Sequence, residues 1–100
     1  FPELKVLSND ILIINFDINF INEIKNIIDG LRAHGRNVFV YPDSVKVSKQ
    51  FSFADKNNFN FVIIYGQEEK DGDNIKIRLM DNGEERLFKL KNFIQEFSKM

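Results

Sequence analysis

The sequence predicts a single α/β domain built on three parallel strands with a hairpin appended. Three observations lead there. Short continuous apolar runs at Asp10–Phe16, Asn37–Tyr41 and Phe59–Tyr65 suit strands covered on both faces. Helical spacing fills the gaps between those runs, which implies right-handed crossovers and a parallel arrangement. After Gly72 the pattern changes to strict alternation around an Asn-Gly pair, the signature of an antiparallel hairpin.

Each element has a local reason. Between Asn19 and His34, Phe20, Ile24, Ile27, Ile28 and Leu31 recur at helical spacing. Asp17 or Asn19 can cap the start of this helix, and Gly35 follows as a stop. Gly30 inside it costs about 1 kcal/mol relative to alanine. Pro42 ends the second strand, and residues 46–57 form a second helix before the third strand. From Asn74 to Met80, Ile75, Ile77 and Leu79 take one face while Lys76, Arg78 and Met80 take the other. Asn82-Gly83 predicts a two-residue turn with φ > 0 at both positions, and a fifth strand from about Glu84 to Phe88. Leu90, Phe93, Ile94 and Phe97 mark a closing helix.

Composition narrows the function. With 43% apolar and 29% charged residues the chain is an ordinary globular domain, not a disordered one. No apolar run approaches the roughly 20 residues that cross a membrane, and no signal-peptide pattern opens the chain. The absence of cysteine removes disulfides, thiolate zinc sites and cysteine nucleophiles, and fits a reducing, cytoplasmic compartment. A net charge of −1 means that any nucleic-acid contact must come from a local patch. The chain opens on Phe1, so residues 1–100 are expected to be one domain from the C-terminal part of a longer chain.

One stretch raises a functional question. On the second helix, Val47, Phe51 and Ala54 share a side that must pack on the sheet. Lys46, Lys49, Gln50 and Phe53 fall in a neighbouring stripe, placing an aromatic ring beside two amines and an amide. Stacking of a base on an aromatic is worth about 1–3 kcal/mol, and adjacent lysines can hold phosphates. That chemistry suits single-stranded RNA. Ordinary packing of Phe53 at the core edge, with the lysines solvating the helix, explains the same residues. His34, beside Gly35, reads as a helix-end residue. Glu68, Glu69, Asp71 and Asp73 read as a solvated loop without the ligand spacing of a calcium site. No phosphate loop, nucleophile elbow or triad is present, so no catalytic residue is assigned.

Taken in order, Leu31-Arg32-Ala33-His34-Gly35, the run Lys46 to Lys56 with Lys49-Gln-Phe-Ser-Phe-Ala-Asp-Lys56, Phe61 to Gly66, Lys70-Asp71-Gly72 and Ile75-Lys-Ile-Arg78 resemble a known family. That family is the anticodon-binding domain of class II aminoacyl-tRNA ligases, with the histidine branch the most similar. The resemblance spans residues 8–98. It implies a three-layer mixed five-stranded sheet in the order 2-1-3-4-5, strand 4 antiparallel, with helices on both faces. It places the RNA site at the carboxyl ends of the parallel strands, near the strand 1/strand 3 switch point, where open α/β sheets bind ligands.

The same resemblance implies particular residues. Ser44 and the acidic loop at Glu69 match places that read anticodon bases; Arg78 matches a basic position on the fourth strand, and Glu68 joins the expected RNA-binding set. Lys46, Lys49, Gln50 and Phe53 complete the expected RNA-binding set. No metal is implied, and no cofactor within these residues; ATP and the amino acid belong to the parent enzyme. The implied partners are a tRNA anticodon loop, the parent's catalytic domain and a second parent subunit in a homodimer, without a membrane. Two alternatives remain at this level: a ligase-like regulatory or protein-interaction domain without an aminoacylation role, and the threonine branch of the same ligases.

Overall fold

A computed structural model describes residues 10–97. In chain order these form β1 (Ile11–Ile13), α1 (Ile18–Glu23), α2 (Lys25–Ala33), β2 (Val38–Val40), α3 (Val47–Lys56), β3 (Phe61–Ile64), α4 (Gln67–Asp71), β4 (Asn74–Leu79), β5 (Glu85–Lys89), a 3-10 turn at Leu90–Asn92 and α5 (Phe93–Phe97). The expected ends of the 1–100 domain lie outside the described residues. The strands make one sheet in the order β2-β1-β3-β4-β5. β1 pairs parallel with β2 and β3, while β4 runs antiparallel to both β3 and β5. This is the expected α/β topology.

The sheet divides the core in two. One face carries Ile11, Ile13, Ile63, Ile75 and Ile77 under α1, α2 and α5, with Ile28, Leu31, Phe93 and Phe97. The other carries Leu12, Ile14, Val62 and Ile64 under α3, with Ala54 and Phe59. β1 is covered on both faces, and its three residues are wholly buried. That is why its sequence is a continuous apolar run rather than an alternating one.

Local chemistry sets the joints. The helix expected over Asn19–His34 divides at Ile24, whose φ of −103° and ψ of 17° interrupt the ladder. Asp17, rather than Asn19, is its N-cap: the carboxylate accepts from Asn19 N at 2.9 Å. Gly35 takes φ +84°, and Arg36 N closes back on Leu31 O at 3.0 Å, which satisfies an otherwise orphaned carbonyl. His34 stands at the helix end with its Nδ1 2.9 Å from Gly30 O, as a donor in that tautomer. Gly30 serves packing: a Cβ there would stand 3.2 Å from Ile94 Cδ1 on α5.

Two sequence expectations change. The hairpin forms, but its turn is wider than the predicted two-residue type. Gly83 alone takes positive φ, at +76°, and Leu79 N bonds Glu84 O at 2.8 Å across four intervening residues. The Asn82 side chain accepts from Glu84 N instead of placing its own backbone in the left-handed region. The acidic segment is also not an open loop. It forms α4, with Glu68 and Glu69 in the first turn, where carboxylates favour the positive end of the helix dipole.

Candidate nucleic-acid interface

The carboxyl ends of β1, β2 and β3 meet at one rim, and a buried amide binds two of them together. Gln50 is 0% exposed. Its Oε1 accepts from Asn15 N at 2.7 Å, and its Nε2 donates to Asn15 O at 2.9 Å and Val45 O at 3.0 Å. Asn15 Nδ2 in turn donates to Tyr41 O at 2.9 Å. The exit of β1 and the loop from β2 to α3 are therefore one hydrogen-bonded unit. Gln50 departs from its expected role: the amide is spent on backbone and unavailable to RNA. An isolated glutamine in a helix reads as polar surface, and only its pairing with a residue on β1 reveals the burial.

Phe53 also turns away from the lysines. Its ring stacks on Phe39 at 5.7 Å and meets Tyr41 edge-on at 5.3 Å and Phe59 at 5.9 Å, all against the β2 side of α3. This is the packing reading of that residue. Lys46 and Lys49 are exposed, as is Ser44, and neither lysine forms an ion pair among the described residues. Cations without a carboxylate partner are the ones that can take up phosphate at the smallest desolvation penalty.

On the opposite flank of α3 runs a line of alternating charge. Glu69 Oε1 accepts from Gly66 N at 2.8 Å, capping α4, and its Oε2 lies 3.9 Å from Lys76 Nζ. Lys76 stands 3.9 Å from Glu85, which stands 3.7 Å from Arg78. The Arg78 guanidinium also sits 4.9 Å over the Phe51 ring. Glu69 and Arg78 thus share a face and are linked through Lys76 and Glu85. Among the described residues no hydrogen bond or ion pair joins Ser44 to either of them. Glu68 is exposed beside Glu69.

Register separates Arg78 from the rim. Lys76 pairs with Ile64, the last residue of β3, whereas Arg78 pairs with Val62, two residues toward the amino end. The basic side chain of β4 nearest the rim is therefore Lys76, which the sequence reading passed over. Its alternation with Arg78 places the two side chains on one face of β4, at different heights.

The rim also contains Tyr65, at the end of β3. Its hydroxyl donates to Glu23 Oε1 at 3.2 Å, and Glu23 Oε2 pairs with Lys70 at 2.9 Å, fastening α1 to α4. Burial, followed by the bond to Glu23 and the charges of Glu23 and Asp73, raises the Tyr65 pKa above its usual 10.0. Among the described residues no group of three or more histidines or carboxylates could hold a metal ion, and no helix is long and apolar enough to cross a membrane.

Residues 10–100 match the family described as “Anticodon binding domain”. The chain belongs to that family. Among relatives of this anticodon-binding domain, a histidine–tRNA ligase from Cytophaga hutchinsonii is 35% identical over 94 residues, covering 94% of this chain and 18% of the relative. A histidine–tRNA ligase from Porphyromonas gingivalis is 28% identical over 87 residues, covering 87% and 19%. The chain thus spans about a fifth of the curated relatives it matches. The fold is shared with the histidyl-tRNA synthetase of Nostoc sp. PCC 7120, at a TM-score of 0.81 and 22% identity over 92% of this chain and 22% of that one. It is shared also with the RNA-binding domain of threonyl-tRNA synthetase from Cryptosporidium parvum, at a TM-score of 0.76 and 17% identity over 92% and 23%.

Proposed function

We propose that this domain grips and reads the anticodon loop of a tRNA for a histidine–tRNA ligase whose catalytic domain lies elsewhere in a longer chain. The observation that carries the reading is that nearly the whole of this chain matches a part of histidine–tRNA ligases, at 35% identity over 94 residues for one of them. The rim supports it: Ser44, Lys46 and Lys49 on one flank of α3 and Lys76 on the other present hydroxyl and cationic groups to an unpaired loop. Hydroxyls read base edges, and ammonium groups hold phosphate. Glu68 offers an acceptor for exocyclic amines, while Glu69 and Arg78 border the surface. A net charge of −1 keeps nonspecific binding weak, so that selectivity rests on base contacts.

In this reading the longer chain consumes ATP and histidine on its catalytic domain, works as a homodimer and acts in the cytoplasm. The domain itself takes no cofactor. The test is titration of the full-length ligase with anticodon stem-loops bearing GUG or an unrelated triplet, at two salt concentrations. Preference for GUG, with affinity falling as salt rises, is the expected result. Equal binding of both loops would remove the histidine assignment, and absence of RNA binding would favour a ligase-like regulatory domain.

A further inference from the structure

Resting on the reading above, we propose that Phe16 is the stacking platform for one unpaired anticodon base and that Lys46 holds a phosphate beside it. Among the described residues only four large apolar side chains are exposed, and two of them, Phe16 at 37% and Ile18 at 60%, stand at the exit of β1. β1 is the middle one of the three parallel strands, flanked by β2 and β3, so its exit borders the β1/β3 switch point of the sheet. The Phe16 ring is held from one edge. Its Cε2 and Cδ2 lie 3.2 and 3.3 Å from where a Cβ on Gly66 would stand, so a side chain at 66 would push it aside. Its neighbours in kind are occupied: Phe39 stacks on Phe53, Phe20 meets Tyr65, and Phe61, Phe88 and Phe93 are all paired. Phe16 has no ring partner and no cation over it among the described residues.

The Gln50 amide supplies the second half of the argument. Its Nε2 bonds both Asn15 O and Val45 O, so the residues that follow them, Phe16 and Lys46, leave the backbone from points fastened to the same nitrogen. An open aromatic ring and an unpaired ammonium group on backbone points tied to one amide nitrogen form the minimal receptor for a single nucleotide. Stacking is tolerant of base identity, so this subsite would position the loop while neighbouring polar groups discriminate. Gly66 leaves the ring its seat, and the buried amide fixes the backbone from which the cation departs.

The experiment uses the full-length ligase and a GUG stem-loop carrying 2-aminopurine at each anticodon position in turn. With the unaltered protein, fluorescence at one position should be quenched on binding. Phe16→Leu keeps apolar bulk without a ring; it should abolish that quenching and weaken binding roughly 5- to 150-fold, while Phe16→Tyr restores both. Lys46→Met should keep the quenching and lower the slope of log affinity against log salt by about 0.7. Melting temperatures of the variants exclude misfolding as the cause. GUG preference with unchanged quenching and affinity in Phe16→Leu would overturn this inference and leave the anticodon reading intact. Loss of GUG preference in the unaltered protein would instead remove the reading beneath it.

Discussion

The side-chain amide of Gln50 engages the backbone of Asn15 at both ends, accepting from its N–H at 2.7 Å and donating to its carbonyl at 2.9 Å. The two residues are 35 apart in sequence. The pairing imitates a strand partner: α3 gives the exit of β1 the hydrogen bonds it would have made had the sheet continued. The rim thereby gains rigidity without an extra strand, and helix, sheet and loop become one body at the switch point.

Removing that amide should be costly. Gln50→Leu retains the volume but strands the buried Asn15 N and Asn15 O and the part-buried Val45 O, at about 1–3 kcal/mol for each buried unsatisfied group. The contributions are not additive, and a total loss of about 3 kcal/mol is expected. Urea denaturation of the variant checks it, and a shift below about 1 kcal/mol would mean that water replaces the amide without penalty.

Gly35 isolates a backbone effect. At φ +84° it closes the Arg36-to-Leu31 bond, and a Cβ there would meet no atom within 4 Å. Gly35→Ala therefore adds no clash, only the penalty of placing an L-residue in the left-handed region, about 1–2 kcal/mol. Gly35→Asn should lose less, because asparagine tolerates that region. Equal stability of all three proteins by urea titration would show that the chain relaxes out of the turn.

These contrasts explain what the sequence disclosed. β1 and β3 were legible because strands buried on both faces leave an uninterrupted apolar run, and β4 because its two faces differ. The sheet order needed the family resemblance, since hydropathy does not say which strand lies at the edge. Gln50 was misread because burial of a polar residue depends on a partner 35 positions away. Phe16 was overlooked for the opposite reason: at the end of an apolar run it looks like core. α4 escaped notice because five residues are too few to display a helical period. The exposure of Ser44, Lys46 and Lys49 was thus legible in the sequence, and side chains were less so wherever tertiary pairing reassigns them.

Tyr65 predicts an alkaline loss of stability. Its folded pKa is raised above 10.0, first by burial and then by Glu23, so the folded state holds the phenol proton more tightly than the unfolded chain does. The resulting stabilisation is complete below pH 10 and disappears as pH rises through 10 and past the folded value. In Tyr41→Phe, where Tyr65 is the sole tyrosine, phenolate absorbance should appear with a midpoint above 10. Adding Glu23→Gln should lower that midpoint by removing the carboxylate charge, while burial keeps part of the shift. A midpoint at or below 10 would contradict the part-buried hydroxyl-to-carboxylate bond.

The two basic residues of β4 should separate in their salt dependence. Lys76 stands opposite the end of β3, held among the described residues only by carboxylates at 3.9 Å on either side, so it can exchange them for a phosphate. Arg78 is two residues lower, about 7 Å along an extended strand, with its guanidinium over Phe51 and beside Glu85. Lys76→Met should reduce the salt slope of stem-loop binding by about 0.7, one phosphate contact to a single-stranded loop. Arg78→Met should leave that slope unchanged and alter stability by less than about 1 kcal/mol, as expected for a half-exposed pair. If Arg78→Met flattens the slope while Lys76→Met does not, the RNA descends the face of β4 beyond the rim, and the boundary placed at Lys76 is wrong.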